Sequence, residues 1–191
     1  MIFSKDDIRF KIADTYSRWT ALSSTRSGSP LKSREDIYTL LMKVDFNEIL
    51  ISKISIEKEE FNEWHKKNAE LLNSFRPEMQ IGWTTKLINI YLKTMVYIGQ
   101  FGSKELITHI HPPIDAGLLA GIKEKFQDDN SISEKINFNI KIKDIQSYED
   151  YKNIIDVMEE IADKQNCLSI EVEQFWKGIE FKEKNNSKLE V

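Results

Sequence analysis

Apolar side chains recur at intervals of three and four residues through most of this 191-residue chain. Such spacing lines up apolar residues on one face of an α-helix, so it limits the fold more than any other feature. The first helical pattern runs from Asp6 to about Leu22, with Ser4 as its N-cap candidate. It contains Ile8, Phe10, Ile12, Ala13, Tyr16 and Trp19. We therefore expect a mainly α fold of about seven to nine helices.

The boundary residues predict where further helices begin and end. Ser33-Arg-Glu-Asp36 is a capping pattern for a second helix, and Arg76-Pro77 ends a charged helix that starts near Glu57. Gly99 and Gly102 are stop signals for a long apolar helix over 83–98. The other predicted elements are helices over 103–108, from Asp115, over 148–164 and over 170–181, and loops over 23–30 and 127–131. The strictly alternating segment 136–143 predicts a strand.

Charge and composition restrict the classes of function. The net charge of -4 argues against a protein that coats nucleic acid by charge alone, so a nucleic-acid site must be a local patch. Without a membrane-length apolar run or a signal-peptide pattern, we expect a cytoplasmic protein that does not bind membranes. The single cysteine, Cys167, excludes an internal disulfide. We expect one α-helical domain over 1–181, two-lobed at most, a polar tail over 182–191, and no cofactor.

One face of the long apolar helix is polar. Lys86, Asn89, Lys93 and Tyr97 fall on this face, because steps of three, four and seven residues nearly complete whole helical turns. The segment 79–114 holds three lysines and two histidines against one acidic residue, Glu105. This local excess of positive charge favours an anionic ligand. In the alternative interpretation the lysine stems lie on a half-buried helix and Asn89 is a hydrogen-bonding core residue.

Asp115 follows Pro112-Pro113-Ile114 and precedes an apolar helical run, which is the position of an N-cap. Capping alone explains an aspartate there. A functional role is also open, because the rigid Pro-Pro approach fixes the carboxylate at one geometry, as a catalytic group requires.

Together these residues resemble the helix-hairpin-helix DNA glycosylases of the endonuclease III superfamily. The chain has Gly82-Trp-Thr-Thr-Lys-Leu-Ile-Asn89 where that family has a Gly-rich hairpin and helix, and Pro113-Ile-Asp115 where it has a Pro-Val-Asp triplet. Gly82, Lys86, Asn89 and Asp115 match the family's residues in order. Thr84 stands where the family has the second hairpin glycine, and no cysteine cluster is present for an iron-sulfur centre.

The resemblance implies release of a base from duplex DNA by cleavage of its N-glycosidic bond. Asp115 would stabilise the positively charged sugar, and Lys86 could attack the anomeric carbon to form a Schiff base, with strand nicking to follow. The implied DNA-binding residues are Gly82, Trp83, Thr84, Asn89, Lys93, His109 and His111. The extruded base would need a stacking surface, for which the candidates are Trp83, Trp64 and Tyr91. The base, the oligomeric state, and a role in DNA repair or in defence against phage DNA stay open.

Two other functions are compatible with the sequence. His65, His109, His111 and Asp115 have the side chains of a metal-dependent hydrolase, and activity that survives a chelator would argue against it. A non-catalytic interaction protein would instead use the acidic helices over 57–70 or 148–163.

Overall fold

The computed structural model describes residues 6–26 and 28–178, and every regular segment within these ranges is helical. The expectation of a mainly α protein is therefore confirmed. The helices are α1 Ile8–Arg26, α2 Arg34–Leu41, α3 Asn47–Leu50, α4 Lys58–Phe75, α5 Ile81–Leu92, α6 Leu106–His109, α7 Ala116–Phe126, α8 Asn130–Ser133 and α9 Tyr148–Gln165. A π-helical segment, Lys93–Ile98, continues α5, and Ile142–Asp144 and Ser169–Phe175 are 3-10 helices.

Local chemistry explains several helix boundaries. The Ser33 side chain accepts the backbone N–H of Asp36 and so caps α2 as predicted. Helix α4 ends at Phe75 with Arg76 as its C-cap, because Pro77 disfavours a helical conformation at the residue before it. Ser147 and Asp150 form a reciprocal capping box at the start of α9.

Helix α5 is the centre of the fold. All of its residues are buried, between α1 on one side and α4 on another. The predicted helix over 83–98 is therefore present, but it widens into the π-helical segment after Leu92. One of its hydrogen bonds spans five residues, from Gly99 N–H to Thr94 O at 2.9 Å, as in a π-helix. A helix surrounded by protein can offer a ligand only those side chains that reach a cleft.

Three sequence predictions about elements need correction. The strand predicted over 136–143 is wrong, because this segment forms turns and part of a 3-10 helix, and that 3-10 helix packs against α5. An alternating pattern forms a strand only when a partner strand is present. The helix predicted over 170–181 is a 3-10 helix that ends at Phe175. The loop predicted over 23–30 starts later, because α1 continues to Arg26.

Two further predictions lie outside the described residues. They are the N-cap role of Ser4 and the polar tail over 182–191. Within the described ranges, the buried apolar side chains form one continuous cluster. None of the helices in these ranges combines the length and apolar character needed to cross a bilayer.

Candidate active site

The side chains of Lys86 and Asp115 meet at the floor of a cleft. Lys86 Nζ lies 3.2 Å from Asp115 Oδ2, and both side chains are largely buried, at 10% and 23% exposure. Lys86 projects from the middle of α5, and Asp115 is the N-cap of α7. The Pro112-Pro113 segment brings the start of α7 against α5. The structure thus brings together the two residues to which the sequence assigned catalysis.

Asp115 has little freedom to move. Its Oδ1 atom accepts the backbone N–H of Leu118 at 3.0 Å, which is the N-cap bond predicted from the sequence. The same oxygen accepts the indole N–H of Trp176 at 3.0 Å, and Oδ2 faces Lys86. Three donors from three parts of the chain therefore hold one carboxylate. Such a group keeps its geometry without reorganising during a reaction.

The cleft above this pair has a volume of about 980 Å³. Its walls come from the end of α1, the start of α7, the segment 141–143 and the segment 173–178. Among the described residues, five lysines line it, against two carboxylates, Asp115 and Glu173. The lysines are Lys86, Lys93, Lys141, Lys143 and Lys177. The cleft is therefore cationic, although the whole chain is acidic.

The start of α5, where the resemblance places a DNA-binding hairpin, faces the protein interior. Thr84 is fully buried, and its hydroxyl donates to Ile81 O at 3.1 Å. Gly82 donates its backbone N–H to Ile145 O at 3.1 Å. Trp83 is 6% exposed and lines the cleft, with Lys86 Nζ 5.9 Å from its ring centroid. Only Trp83 among these three residues faces the space where a ligand can bind.

Asn89 lies in a buried hydrogen-bond network instead of the cleft. Its amide nitrogen donates to Tyr151 Oη at 2.8 Å and to Pro112 O at 3.1 Å. Its amide oxygen lies 2.8 Å from His65 Nε2 and accepts that N–H. The core role considered from the sequence therefore describes Asn89 better than contact with DNA. Through Pro112, Asn89 ties the loop that carries Asp115 to the helix that carries Lys86.

The same network fixes the protonation of two buried histidines. His65 holds its proton on Nε2, so Nδ1 accepts the Tyr148 hydroxyl at 2.9 Å. Tyr151 Oη already accepts from Asn89, so its own proton points to His111 Nδ1 at 3.0 Å. The remaining N–H of His111, at Nε2, has no acceptor within the described part of the chain.

Burial keeps both imidazoles neutral. It lowers the pKa of His65 to about 4, although the hydrogen bond with Asn89 acts in the opposite direction. Burial also lowers the pKa of His111 well below its ordinary value, and the neighbouring His65 adds to this effect. The Tyr151 hydroxyl has its pKa raised by the same burial. His111 is 1% exposed, so its side chain is not accessible to DNA.

The remaining predicted site residues lie in different parts of the protein. Lys93 lines the cleft and forms an ion pair with Glu173 at 2.7 Å. His109 lies elsewhere, with Nε2 donating to Ile56 O at 3.1 Å. The stacking candidates Trp64 and Tyr91 are buried in the core, at 4% and 1% exposure. In residues 6–26 and 28–178 no three histidine, cysteine, aspartate or glutamate side chains are arranged to hold a metal ion.

The cleft residues that sequence reasoning missed include Trp176, Lys141, Lys143 and Lys177. Trp176 follows Asp115 by 61 residues, and no local pattern links the two. The two lysines at 141 and 143 were visible as alternating polar positions of the expected strand. That pattern put them on one side of the segment but gave no sign of which element they would face.

Comparisons of the chain with protein-family models, with curated proteins and with solved structures give no match. The geometry of the cleft and the motif resemblance are therefore the grounds for a function.

Proposed function

We propose that this protein is a DNA glycosylase that releases a base in the cleft above Lys86 and Asp115. The observation that carries the proposal is the contact of 3.2 Å between Lys86 Nζ and Asp115 Oδ2 at the floor of a lysine-lined cleft. The two residues are 29 apart in sequence, and they are the two that the resemblance to helix-hairpin-helix glycosylases makes catalytic.

The electrostatics suit this reaction. When the bond between C1′ and the base nitrogen breaks, the electron pair leaves with the base and the sugar becomes positively charged. The Asp115 carboxylate, held by Leu118 N–H and Trp176 N–H, stabilises that charge on one face of the sugar. A cationic rim attracts the negatively charged DNA backbone. A cleft of about 980 Å³ has room for an extruded base.

Two nucleophiles complete the chemistry. Water can add to C1′ and lose a proton while the departing base gains one, which leaves a free base and an abasic site. Alternatively, an uncharged Lys86 amine bonds to C1′ as the base leaves with its electron pair. The two amine protons pass to the base and to the ring oxygen, so that the opened sugar is left as a Schiff base with Nζ. Only the second route allows the strand to be nicked by elimination. Borohydride reduces the Schiff base to a stable link between protein and DNA, so trapping distinguishes the Lys86 route from the water route.

The test compares wild type with Asp115→Asn on duplex DNAs, including phage DNAs that carry modified bases. After incubation the DNA is treated with alkali, which cleaves at abasic sites. Asparagine still accepts the Leu118 N–H, so helix α7 keeps its cap, but it loses the negative charge. Asp129→Asn is the matched control, because Asp129 also caps a helix and pairs with a lysine, Lys164, outside the cleft.

Alkali-labile sites made by wild type and by Asp129→Asn, but not by folded Asp115→Asn, are the expected result. Equal activity of Asp115→Asn and wild type would remove Asp115 from the mechanism. DNA that stays intact with every protein, together with no detectable DNA binding, is the result expected of an interaction protein without catalysis.

A further inference from the structure

The start of α5 is closed to phosphate. Backbone amides at a helix start bind anions only where no other acceptor occupies them. Here Gly82 N–H donates to Ile145 O at 3.1 Å, and the Trp83 and Thr84 amides donate to Gln80 O at 2.8 and 3.2 Å. A side chain at Gly82 would place its Cβ 2.1 Å from Ile142 O, so only glycine admits the covering segment. These three amides are unavailable to DNA.

The covering segment is itself well ordered. Lys141 donates its backbone N–H to the Asp144 carboxylate at 3.2 Å, and Ile142–Asp144 form a 3-10 turn. Ile145 is fully buried and anchors the segment in the core. The side chains of Lys141 and Lys143 are exposed and line the cleft. Where an open hairpin would present amides, this protein presents two lysines on a fixed turn.

These two lysines carry the unbalanced charge of the cleft. Lys86 pairs with Asp115, Lys93 with Glu173 and Lys177 with Glu124. Within the described ranges, the ammonium groups of Lys141 and Lys143 have no carboxylate partner; the Asp144 carboxylate beside them is bonded to a backbone amide. Two uncompensated positive charges at the rim of a cleft suit consecutive phosphates of a polyanion.

We infer that Lys141 and Lys143 hold the DNA backbone beside the cleft, in place of the occupied amides at the start of α5. The inference rests on the proposed function, since it names the phosphate contacts of the same site. Ammonium groups that contact phosphate add affinity without reading sequence. Each contact also releases condensed counterions, so it steepens the salt dependence of binding.

The test measures binding of the 191-residue chain to a short duplex DNA that carries one tetrahydrofuran abasic-site analogue. Fluorescence anisotropy is recorded over a series of sodium chloride concentrations. The variant is Lys141→Ala/Lys143→Ala. The matched control is Lys67→Ala/Lys104→Ala, which removes two exposed lysines that lie outside the cleft and have no ion pair within the described residues. Thermal unfolding of both variants checks that they fold.

We expect the cleft variant to bind about tenfold more weakly at about 0.15 M salt, and the slope of log K against log salt to fall by about 1.8, which is two phosphate contacts. The control variant should match wild type. If wild type binds DNA and the cleft variant has the same affinity and slope, the inference is overturned while the proposed function stands. If wild type does not bind this DNA at all, both are overturned.

Discussion

The indole nitrogen of Trp176 lies 3.0 Å from Oδ1 of Asp115, although the two residues are 61 positions apart. Two glycines of α7 permit this approach. A Cβ at Gly117 would lie 2.6 Å from the indole nitrogen, and one at Gly121 would lie 1.6 Å from Phe175 O. The segment 175–178 therefore lies directly on the helix that Asp115 caps, and it holds one carboxylate oxygen while Lys86 faces the other.

Replacing Trp176 by phenylalanine should remove the N–H donor and keep most of the aromatic ring. We expect the free energy of unfolding to fall by about 1 kcal/mol, because a hydrogen bond to a charged acceptor is lost at a partly exposed site. Urea denaturation measures the change. Trp19→Phe is the control, since it removes a similar ring area at a residue that is 56% exposed. Equal losses in the two variants would show that the bond to Asp115 adds no stability.

Gly121→Ala should destabilise the protein, although alanine in a helix normally stabilises relative to glycine by about 1 kcal/mol. The new methyl group would overlap Phe175 O and push the segment 175–178 away from α7. We expect a net loss of about 1–3 kcal/mol, measured by urea denaturation. Ala120→Ser, at an exposed position of the same helix, should change stability by less than about 0.5 kcal/mol. A stabilised Gly121→Ala protein would contradict the close packing.

Asn89→Ala should cost much more stability than Asn68→Ala. Asn89 bonds to Tyr151, Pro112 and His65, and its loss leaves buried groups without partners. Asn68 is also buried, but its side chain makes one bond, to Trp64 O at 2.8 Å. We expect losses of about 3 and about 1 kcal/mol. Equal losses in chemical denaturation would mean that the network around Asn89 is not cooperative.

Stability should decline as the pH falls from 6.5 toward 4. Burial lowers the pKa of His65 from 6.5 to about 4, so in this window the unfolded chain takes up a proton that the folded protein does not. Since the state that binds more protons is favoured at lower pH, His65 alone should remove about 3 kcal/mol by pH 4. The lowered pKa of His111 acts in the same direction.

Urea unfolding at several pH values between 7.5 and 4.5 checks this decline. His65→Gln should have a shallower dependence on pH between 6.5 and 5, where few carboxylates titrate. His109→Gln is the comparison variant, because it also removes an imidazole, at a position that is only partly buried. If the free energy of unfolding of His65→Gln depends on pH as steeply as that of wild type, the buried His65 does not cause the loss of stability at low pH.

The helical class and many helix boundaries could be predicted from the amino-acid sequence alone. Helical periodicity and capping depend on residues within one or two turns, so Ser33, Asp115 and Arg76-Pro77 could be assigned without knowledge of the fold. The alternating segment 136–143 misled for the same reason, because its pattern is local but a strand needs a distant partner.

Which polar residues of α5 reach the cleft depends on the packing of other segments around this helix. Lys86 and Asn89 lie about 60° apart around the helix axis, as the helical repeat dictates. Because α5 is surrounded by protein, that rotation separates a cleft residue from a core residue, and spacing alone cannot tell which is which. Trp176, Lys141 and Lys143 enter the site through packing between segments distant in sequence. Their positions follow from how the whole core packs, which no local pattern records.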